Sequence, residues 1–364
     1  MSAVFMKGNE AMAESAIRAG ARFFSAYPIT PQTTFTEYMA KRMPEAGGVF
    51  IQAESELSAA SMIIGASTAC VRCLTATSGP GLDLMTESLS SLAAARLPCV
   101  LVDIQRVGGG QAGIVSSQMD YNLVTKTLGH GGLKGLVLAP ATCQEAADLV
   151  YEAFDLADAY RVPVIVLTDA LTGQMAETVE LKPFQTEFPD KSDYELDGAG
   201  DHNRPRRIIL DTIITGPYGI DRNSNVEYHL MEDDKVYKSW DENEVRYEDY
   251  RMEDAEYVII TYGTTARVAR TTIDELRDEG YKVGMIRPIT LVPFPKERLV
   301  QLDPAKVKGV LVTEMAIPMQ FAHDVIPWLD RSLKVETYAR AHNPVTAEAL
   351  KENLLKMIRK EENA

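Results

Sequence analysis

Ile51-Gln-Ala-Glu-Ser-Glu56-Leu-Ser-Ala-Ala-Ser-Met-Ile-Ile-Gly65-Ala-Ser places the carboxylate of Glu56 at the head of a helix made largely of small and apolar side chains. A carboxylate there is placed for chemistry. Upstream lies Tyr27-Pro-Ile-Thr-Pro31, and a similar distance downstream lies Thr75-Ala-Thr-Ser-Gly-Pro-Gly81. These three segments fall at the ends of three successive predicted strands, where open α/β sheets build their sites.

Working outward, short apolar runs rich in Val, Ile and Leu alternate with helical stretches. Strands are predicted over Arg22–Pro28, Val49–Ser55, Cys73–Ser78, Cys99–Ile104, Gly135–Ala139 and Val162–Thr168. An Ala-rich helix runs from Glu10 to near Gly20, and Thr142-Cys-Gln-Glu145 reads as a capping box opening an amphipathic helix. The pattern is that of a parallel sheet covered on both faces. The first domain is set at residues 1–180 and an acidic connector at 181–254. A smaller α/β domain follows at 255–364, with strands at Tyr257–Gly263, Lys282–Ile286 and Val310–Thr313. Thr264 and Thr265 are expected to cap the helix that ends near Gly280. Between Met231 and Glu256 the connector holds eleven Asp/Glu against four Lys/Arg, which reads as a solvated arm over the surface or a partner.

The 364 residues, 46% hydrophobic, suffice for two or three ordinary domains with real cores. A formal net charge of -15, with no basic run, argues against nucleic acid and anionic membranes as partners. No apolar stretch is long enough to span a bilayer, and Met1-Ser-Ala-Val-Phe-Met-Lys-Gly has no signal-peptide pattern, so a cytoplasmic location is expected. Cys70-Val-Arg-Cys73 invites a metal or redox reading. No second such pair completes a tetrahedral set, and the reading preferred is of small core residues flanking a strand start.

Several separate motifs, in order and spacing, carry a resemblance to a family. They are Gly8-Asn9-Glu10-Ala11, Tyr27-Pro-Ile-Thr-Pro31, Glu54-Ser-Glu56-Leu-Ser-Ala-Ala, Thr75-Ala-Thr-Ser-Gly-Pro-Gly81, Ile104-Gln-Arg106 and Arg287-Pro288-Ile289. From about residue 6 to residue 350 the chain resembles the alpha subunit of the thiamine-diphosphate-dependent 2-oxoacid:ferredoxin oxidoreductases. Ser25-Ala-Tyr-Pro-Ile-Thr-Pro-Gln32, Gln52-Ala-Glu-Ser-Glu56 and Asn243-Glu-Val-Arg-Tyr-Glu248 are most similar to the 2-oxoisovalerate (branched-chain 2-oxoacid) branch. The resemblance implies a fold: a pyrimidine-binding-type parallel sheet domain, followed by a smaller transketolase C-terminal-like α/β domain. It implies CoA-dependent oxidative decarboxylation of a 2-oxoacid to acyl-CoA, CO₂ and reduced ferredoxin in an anaerobic cell.

Thiamine chemistry requires a carboxyl group hydrogen-bonded to N1′ of the aminopyrimidine in a dry pocket. Glu56, followed by Leu57, Ser58, Ala59 and Ala60, suits that demand, and the family spacing to Ala-Ala and Gly65 selects it over Glu54. A lesser role for Glu56, complementing the helix dipole, stays open. The resemblance implies that Tyr27, Pro28, Thr77, Ser78 and Gly79 contact the cofactor. Thr30, set between Pro28 and Pro31, is a candidate for the substrate carboxylate or carbonyl, or else a turn residue. Arg106 is the natural bidentate partner of the 2-oxoacid carboxylate. The family often continues this Arg with Gly-Pro-Ser-Thr-Gly. Here Val107-Gly-Gly-Gly-Gln-Ala-Gly113 follows, so the side-chain pocket departs from the pattern. Among scattered histidines only His130, in Gly129-His-Gly-Gly132, is a candidate to line the site.

Cofactor diphosphate is ordinarily held through Mg²⁺ by Gly-Asp-Gly, which this sequence lacks; Asp197-Gly-Ala-Gly-Asp201 lies in the connector and follows no strand. This chain is therefore expected to supply the pyrimidine side of thiamine diphosphate only. Beta, gamma and delta-type subunits are expected to bring Mg²⁺ and [4Fe-4S] clusters, with CoA and ferredoxin as further partners. Alternatives are 2-oxoglutarate or an aryl/indole pyruvate as substrate, a non-redox thiamine enzyme subunit of transketolase type, and a non-catalytic assembly protein that kept the fold.

Overall fold

The computed structural model describes residues 3–109, 113–192, 194, 222–341 and 344–362. Its strands are β1 (Ala3–Lys7), β2 (Phe23–Ala26), β3 (Val49–Gln52), β4 (Cys73–Thr77), β5 (Cys99–Gln105), β6 (Leu136–Leu138), β7 (Pro163–Asp169) and β8 (Ala176–Glu180). They continue with β9 (Tyr247–Tyr250), β10 (Tyr257–Ile260), β11 (Val283–Pro288), β12 (Thr290–Val292), β13 (Gly309–Glu314) and β14 (Val335–Ala339). The helices are α1 (Gly8–Arg18), α2 (Thr33–Glu45), α3 (Glu56–Thr68), α4 (Gly79–Ala94), α5 (Tyr121–Thr125) and α6 (Cys143–Tyr160). After them come α7 (Ala170–Gln174), α8 (Arg222–Asn243), α9 (Gly263–Asp278), α10 (Lys296–Val300), α11 (Ala322–Val325) and α12 (Ala347–Glu362).

A seven-stranded sheet in the order β12-β6-β7-β5-β4-β2-β3 forms the larger layer. Every residue of β4, β5 and β7 is buried, because helices cover both faces. On one face Ile63 of α3 and Leu82, Met85 and Leu89 of α4 pack on Leu101 and Ile165. On the other, Met12 and Ile17 of α1, Phe35 and Met39 of α2, and Val150 and Phe154 of α6 pack on Val100, Val102 and Val164. The apolar alternation along β5 thus feeds two cores. Half of the expected capping box forms: the Thr142 hydroxyl accepts from the Glu145 amide at 3.1 Å, while the Glu145 carboxylate accepts from the Ala141 amide at 2.7 Å rather than from that of Thr142.

The second sheet runs β14-β13-β10-β11-β9. Its central pairs are parallel, with Tyr257 opposite Val283 and Gly309. β9 closes one edge antiparallel, Tyr250 opposite Met285. β1 and β8 make a separate antiparallel ribbon.

One strand and an apolar cluster join the two units. β12 leaves the second unit to pair antiparallel with β6, Thr290 opposite Leu138, and Ala139 donates to the Ile289 carbonyl at 2.7 Å. The apolar core is continuous across the boundary: Val258, Ile260, Tyr262 and Phe321 share a cluster with Leu82 and Tyr121.

The acidic stretch expected as a solvated arm is more ordered than its charge suggests. It supplies α8 and β9, and Trp240 of α8 is buried beside Tyr160 and Tyr237 in the core under α6. Asp197-Gly-Ala-Gly-Asp201 lies outside the described residues. The expectation for Thr264 and Thr265 also changes. α9 begins at Gly263 after Tyr262, and the two hydroxyls bond across the domain boundary rather than capping the helix.

Replacing Trp240 with Ala opens a large cavity and should lower stability by about 3 kcal/mol. Trp240→Phe should cost much less, since the indole N–H has no hydrogen-bond partner. Denaturant unfolding of the two variants checks this, and equal, small losses would remove α8 from the core.

Candidate functional site

The sheet order places β5, β4, β2 and β3 side by side, so the four segments that follow these strands converge on one sheet edge. They are the loop at Tyr27–Pro31 after β2, Glu56 after β3, the Thr77–Gly81 turn after β4 and Arg106 after β5.

Glu56 is the first residue of α3 and is 6% exposed. The cap is supplied by its neighbour: the Ser55 hydroxyl accepts from the Ser58 amide at 3.2 Å. Glu56 is thus not needed for capping, and among the described residues nothing hydrogen-bonds its carboxylate. Glu54 turns outward, exposed, and accepts from the Ser58 hydroxyl at 2.7 Å. The two carboxylates that share a sequence motif are separated by burial, and only Glu56 lies in the fold.

Gly81 sets the wall opposite Glu56. A Cβ at Gly81 would stand 2.7 Å from Glu56 Oε1 and collide with Thr77 Oγ1, so only glycine allows α4 to approach so closely. Thr77 Oγ1 and Ser78 Oγ are buried with no partner among the described residues. Buried polar atoms are almost always paired, and two adjacent unpaired hydroxyls beside an unpaired carboxylate mark a place where a polar ligand completes the set. An aminopyrimidine ring, with nitrogens for Glu56 and the hydroxyls, fits that donor set.

The Tyr27–Pro31 loop is fixed from three sides. Asn9 Nδ2, buried at the start of α1, and Gln174 Nε2 of α7 both donate to the Pro31 carbonyl, at 3.0 and 2.7 Å. Gln32 Nε2 donates to the Ala76 carbonyl of β4 at 3.1 Å. Arg106, almost wholly buried, donates through Nη1 to the Thr30 carbonyl at 2.8 Å. Thr30 and Arg106 therefore meet through the Thr30 backbone; the Tyr27 and Thr30 side chains are exposed, and Pro28 is half-buried. His130 is exposed on a turn over α4 and takes no part in this edge.

Beyond Arg106, residues 110–112 of the glycine-rich loop lie outside the described residues. On either side of them Val107 donates to the Val115 carbonyl at 2.8 Å, the Gly108 amide meets Met119 Sδ at 3.4 Å, and Ile114 is exposed.

The returning segment is clamped by the second domain, which sequence reasoning missed. Gln118 is buried; its Nε2 donates to the Tyr262 carbonyl at 2.9 Å, while its Oε1 accepts from Thr265 at 3.0 Å and the Met315 amide at 2.8 Å. Ser116, bridged to Arg106, donates to Asp169 Oδ1 at 2.8 Å, and Thr264 also donates to Asp169. Burial pushes the Asp169 carboxyl up, opposed by these hydroxyls and by the Thr172 and Leu171 amides. The Arg106 arm is thus held by groups from both domains.

A family model for pyruvate flavodoxin/ferredoxin oxidoreductase, thiamine-diphosphate-binding, matches residues 14–257, and one for pyruvate:ferredoxin oxidoreductase core domain II matches residues 255–346. This chain belongs to the 2-oxoacid:ferredoxin oxidoreductase family, as a thiamine-diphosphate-domain subunit. Among its relatives, the ketoisovalerate oxidoreductase subunit VorB of Methanothermobacter marburgensis is 41% identical over 303 residues, covering 83% of each chain. The 2-oxoglutarate synthase subunit KorA of Methanocaldococcus jannaschii is 36% identical over 332 residues, covering 86% of this chain and 89% of the relative. The 2-oxoglutarate:ferredoxin oxidoreductase structure from Magnetococcus marinus superposes with a TM-score of 0.84 at 28% identity, over 98% of this chain and 65% of that one. A split-gene transketolase matches at a TM-score of 0.56 and 12% identity, which shows the shared fold alone.

Gly81→Ala should push Glu56 out of place and cut kcat/KM about 100-fold, and overpacking against Thr77 and Glu56 should lower stability by about 1–3 kcal/mol. Activity of the assembled enzyme together with its melting temperature checks this; full activity would mean that the Glu56–Gly81 contact does not shape the site.

Proposed function

We propose that this chain holds the pyrimidine side of thiamine diphosphate and binds the 2-oxoacid in a CoA-dependent, ferredoxin-reducing decarboxylase of branched-chain 2-oxoacids. The observation that carries this reading is the convergence of an unpaired, buried Glu56 with the unpaired hydroxyls of Thr77 and Ser78 beside Gly81, with Arg106 on the next strand. Thiamine diphosphate, when bound, supplies the carbon nucleophile for the keto carbon and the electron sink that lets CO₂ leave. Glu56 holds a proton at N1′ of the pyrimidine. Ser78, Thr77 and Gly79 line the ring, and Tyr27 and Pro28 close the outer side. Arg106 pairs with the substrate carboxylate, oriented by its bond to the Thr30 carbonyl. The Thr30 hydroxyl faces the open side, where the substrate enters.

The absence of Gly-Asp-Gly from the sequence supports a shared site: a beta subunit brings the diphosphate grip, Mg²⁺ and a cluster, while gamma and delta-type subunits complete electron transfer to ferredoxin. The exposed apolar residues Tyr27, Leu57, Leu84 and Ile114 around this edge support coverage by another chain. Val107, Ile114 and Met119 beyond Arg106 suit an apolar substrate tail, and the likeness to VorB supports 2-oxoisovalerate over 2-oxoglutarate. A cytoplasmic location is proposed with it; among the described residues no helix is long and apolar enough to cross a membrane.

The test is anaerobic, on the chain coexpressed with its partner subunits. CoA-dependent viologen reduction should be fastest with 2-oxoisovalerate and slower with pyruvate, 2-oxoglutarate and an aryl 2-oxoacid. Glu56→Gln should lower kcat by about 100-fold or more, and Arg106→Lys should raise KM for the oxoacid roughly tenfold through loss of the bidentate pair. A faster reaction with 2-oxoglutarate would overturn the substrate class, and wild-type turnover in Glu56→Gln would remove Glu56 from the chemistry.

A further inference from the structure

Asp103 interrupts the apolar run of β5 and is fully buried, yet among the described residues neither of its carboxyl oxygens has a donor. Asp120, at the head of α5, is 8% exposed, and its Oδ2 is likewise without a donor. Geometry brings the two together: the Asp120 amide bonds to the side chain of Gln105, two residues beyond Asp103 on the same face of β5, and the Asp120 carboxylate abuts Gly79, two residues beyond the Thr77 that stands opposite Asp103. Two carboxylates cannot bond to one another, and burying both charges would be prohibitive; one proton between them supplies the missing donor and removes one charge.

We propose that Asp103 and Asp120 share one proton, and that the pair is a positioning device holding the Gly79–Gly81 turn against Glu56. The Asp120 carboxylate faces the Gly79 amide at the N-terminus of the sixteen-residue α4. A Cβ at Gly79 would lie 3.2 Å from Oδ1 and 3.4 Å from Oδ2, so the glycine permits this approach. The amide and the helix N-terminus favour charge on Asp120 and leave the proton nearer Asp103. Asp120 is fixed in turn, because its own amide donates to Gln105 Oε1 at 3.2 Å. From Asp120 the constraint runs through Gly79 to Gly81, which abuts Glu56.

The charged and titratable groups around the pair are Asp83 on α4, which disfavours further ionisation, and Arg106 at the end of β5, which favours the charge on Asp120; Tyr262 of the second domain feels that charge. Burial first, and the neighbouring carboxylates second, push the Asp103 carboxyl up. Because the folded pair holds a proton that the unfolded chain gives up, its contribution to stability is present at low pH and lost as pH rises through the folded-state ionisation. Loss of the proton puts two like charges in buried contact, which drives Asp120 away from Asp103 and slackens the turn.

The shared proton stands whichever oxoacid is the substrate; only the effect on cofactor binding rests on the proposed thiamine site. The experiment is infrared difference spectroscopy of the assembled enzyme near neutral pH, wild type minus variant, in H₂O and D₂O. A buried protonated-carboxyl band should appear in wild type and vanish in Asp103→Asn, and equally in Asp120→Asn, whose amide would donate to an ionised Asp103. Thiamine diphosphate affinity of the stripped wild-type enzyme should fall about tenfold at alkaline pH as the proton leaves, and this pH dependence should be absent in Asp103→Asn. No band in wild type, or a band that persists in both variants, overturns the shared proton. If the band behaves as expected but affinity shows the same pH dependence in both proteins, the positioning role is overturned. If neither variant folds, the wild-type alkaline titration decides alone, through loss of the band in step with loss of affinity or the lack of such a link.

Discussion

A parallel sheet buried on both faces leaves its polar chemistry few places to go. β4, β5 and β7 have no exposed residue, so groups that must meet a ligand are confined to strand ends and helix starts. Thr77, Ser78, Glu56 and Arg106 sit there, and their convergence follows from the order β5-β4-β2-β3 rather than from any local motif. The close approach of α3 and α4 is the second half of the constraint. Gly81 lets the two helices bring an acid and two hydroxyls into one dry corner without a partner for any of them among the described residues.

The second domain has a structural hold on this corner. Through Gln118, Asp169 and Thr264 it fixes the strand that returns from the Arg106 loop, and through β12 it extends the first sheet. Arg106 itself spans to the Thr30 carbonyl, so its guanidinium is braced by the loop after β2, by β5 and, indirectly, by the second domain. Ion pairs across the same boundary, Arg287 with Glu145 and Arg267 with Glu177, add to this attachment. The two units thus act as one support for the site.

What could be read from the sequence was local. Val- and Ile-rich runs gave nine of the fourteen described strands, β3 and β10 ending three residues sooner than expected, while the edge and ribbon strands β1, β8, β9, β12 and β14 were not foreseen; Thr142 and Glu145 gave a helix start, and Glu56 was separable from Glu54 by motif spacing. What could not be read depends on partners far along the chain. Thr264 and Thr265 looked like helix caps, but their acceptors are Asp169 and Gln118. The charge of the 231–256 stretch hid Trp240, whose environment comes from α6. Asp103 did carry a local signal, a carboxylate inside an apolar strand, but its meaning waits on Asp120.

The central claim is that Glu56 is the acid for the pyrimidine of a cofactor shared with another chain. A structure of the assembled enzyme with thiamine diphosphate bound tests it most directly. The account expects the aminopyrimidine in the corner between α3 and α4, with the Glu56 carboxyl hydrogen-bonded to N1′ and the diphosphate on the partner subunit. A cofactor bound with its pyrimidine away from Glu56, or held with its diphosphate on this chain, would contradict it.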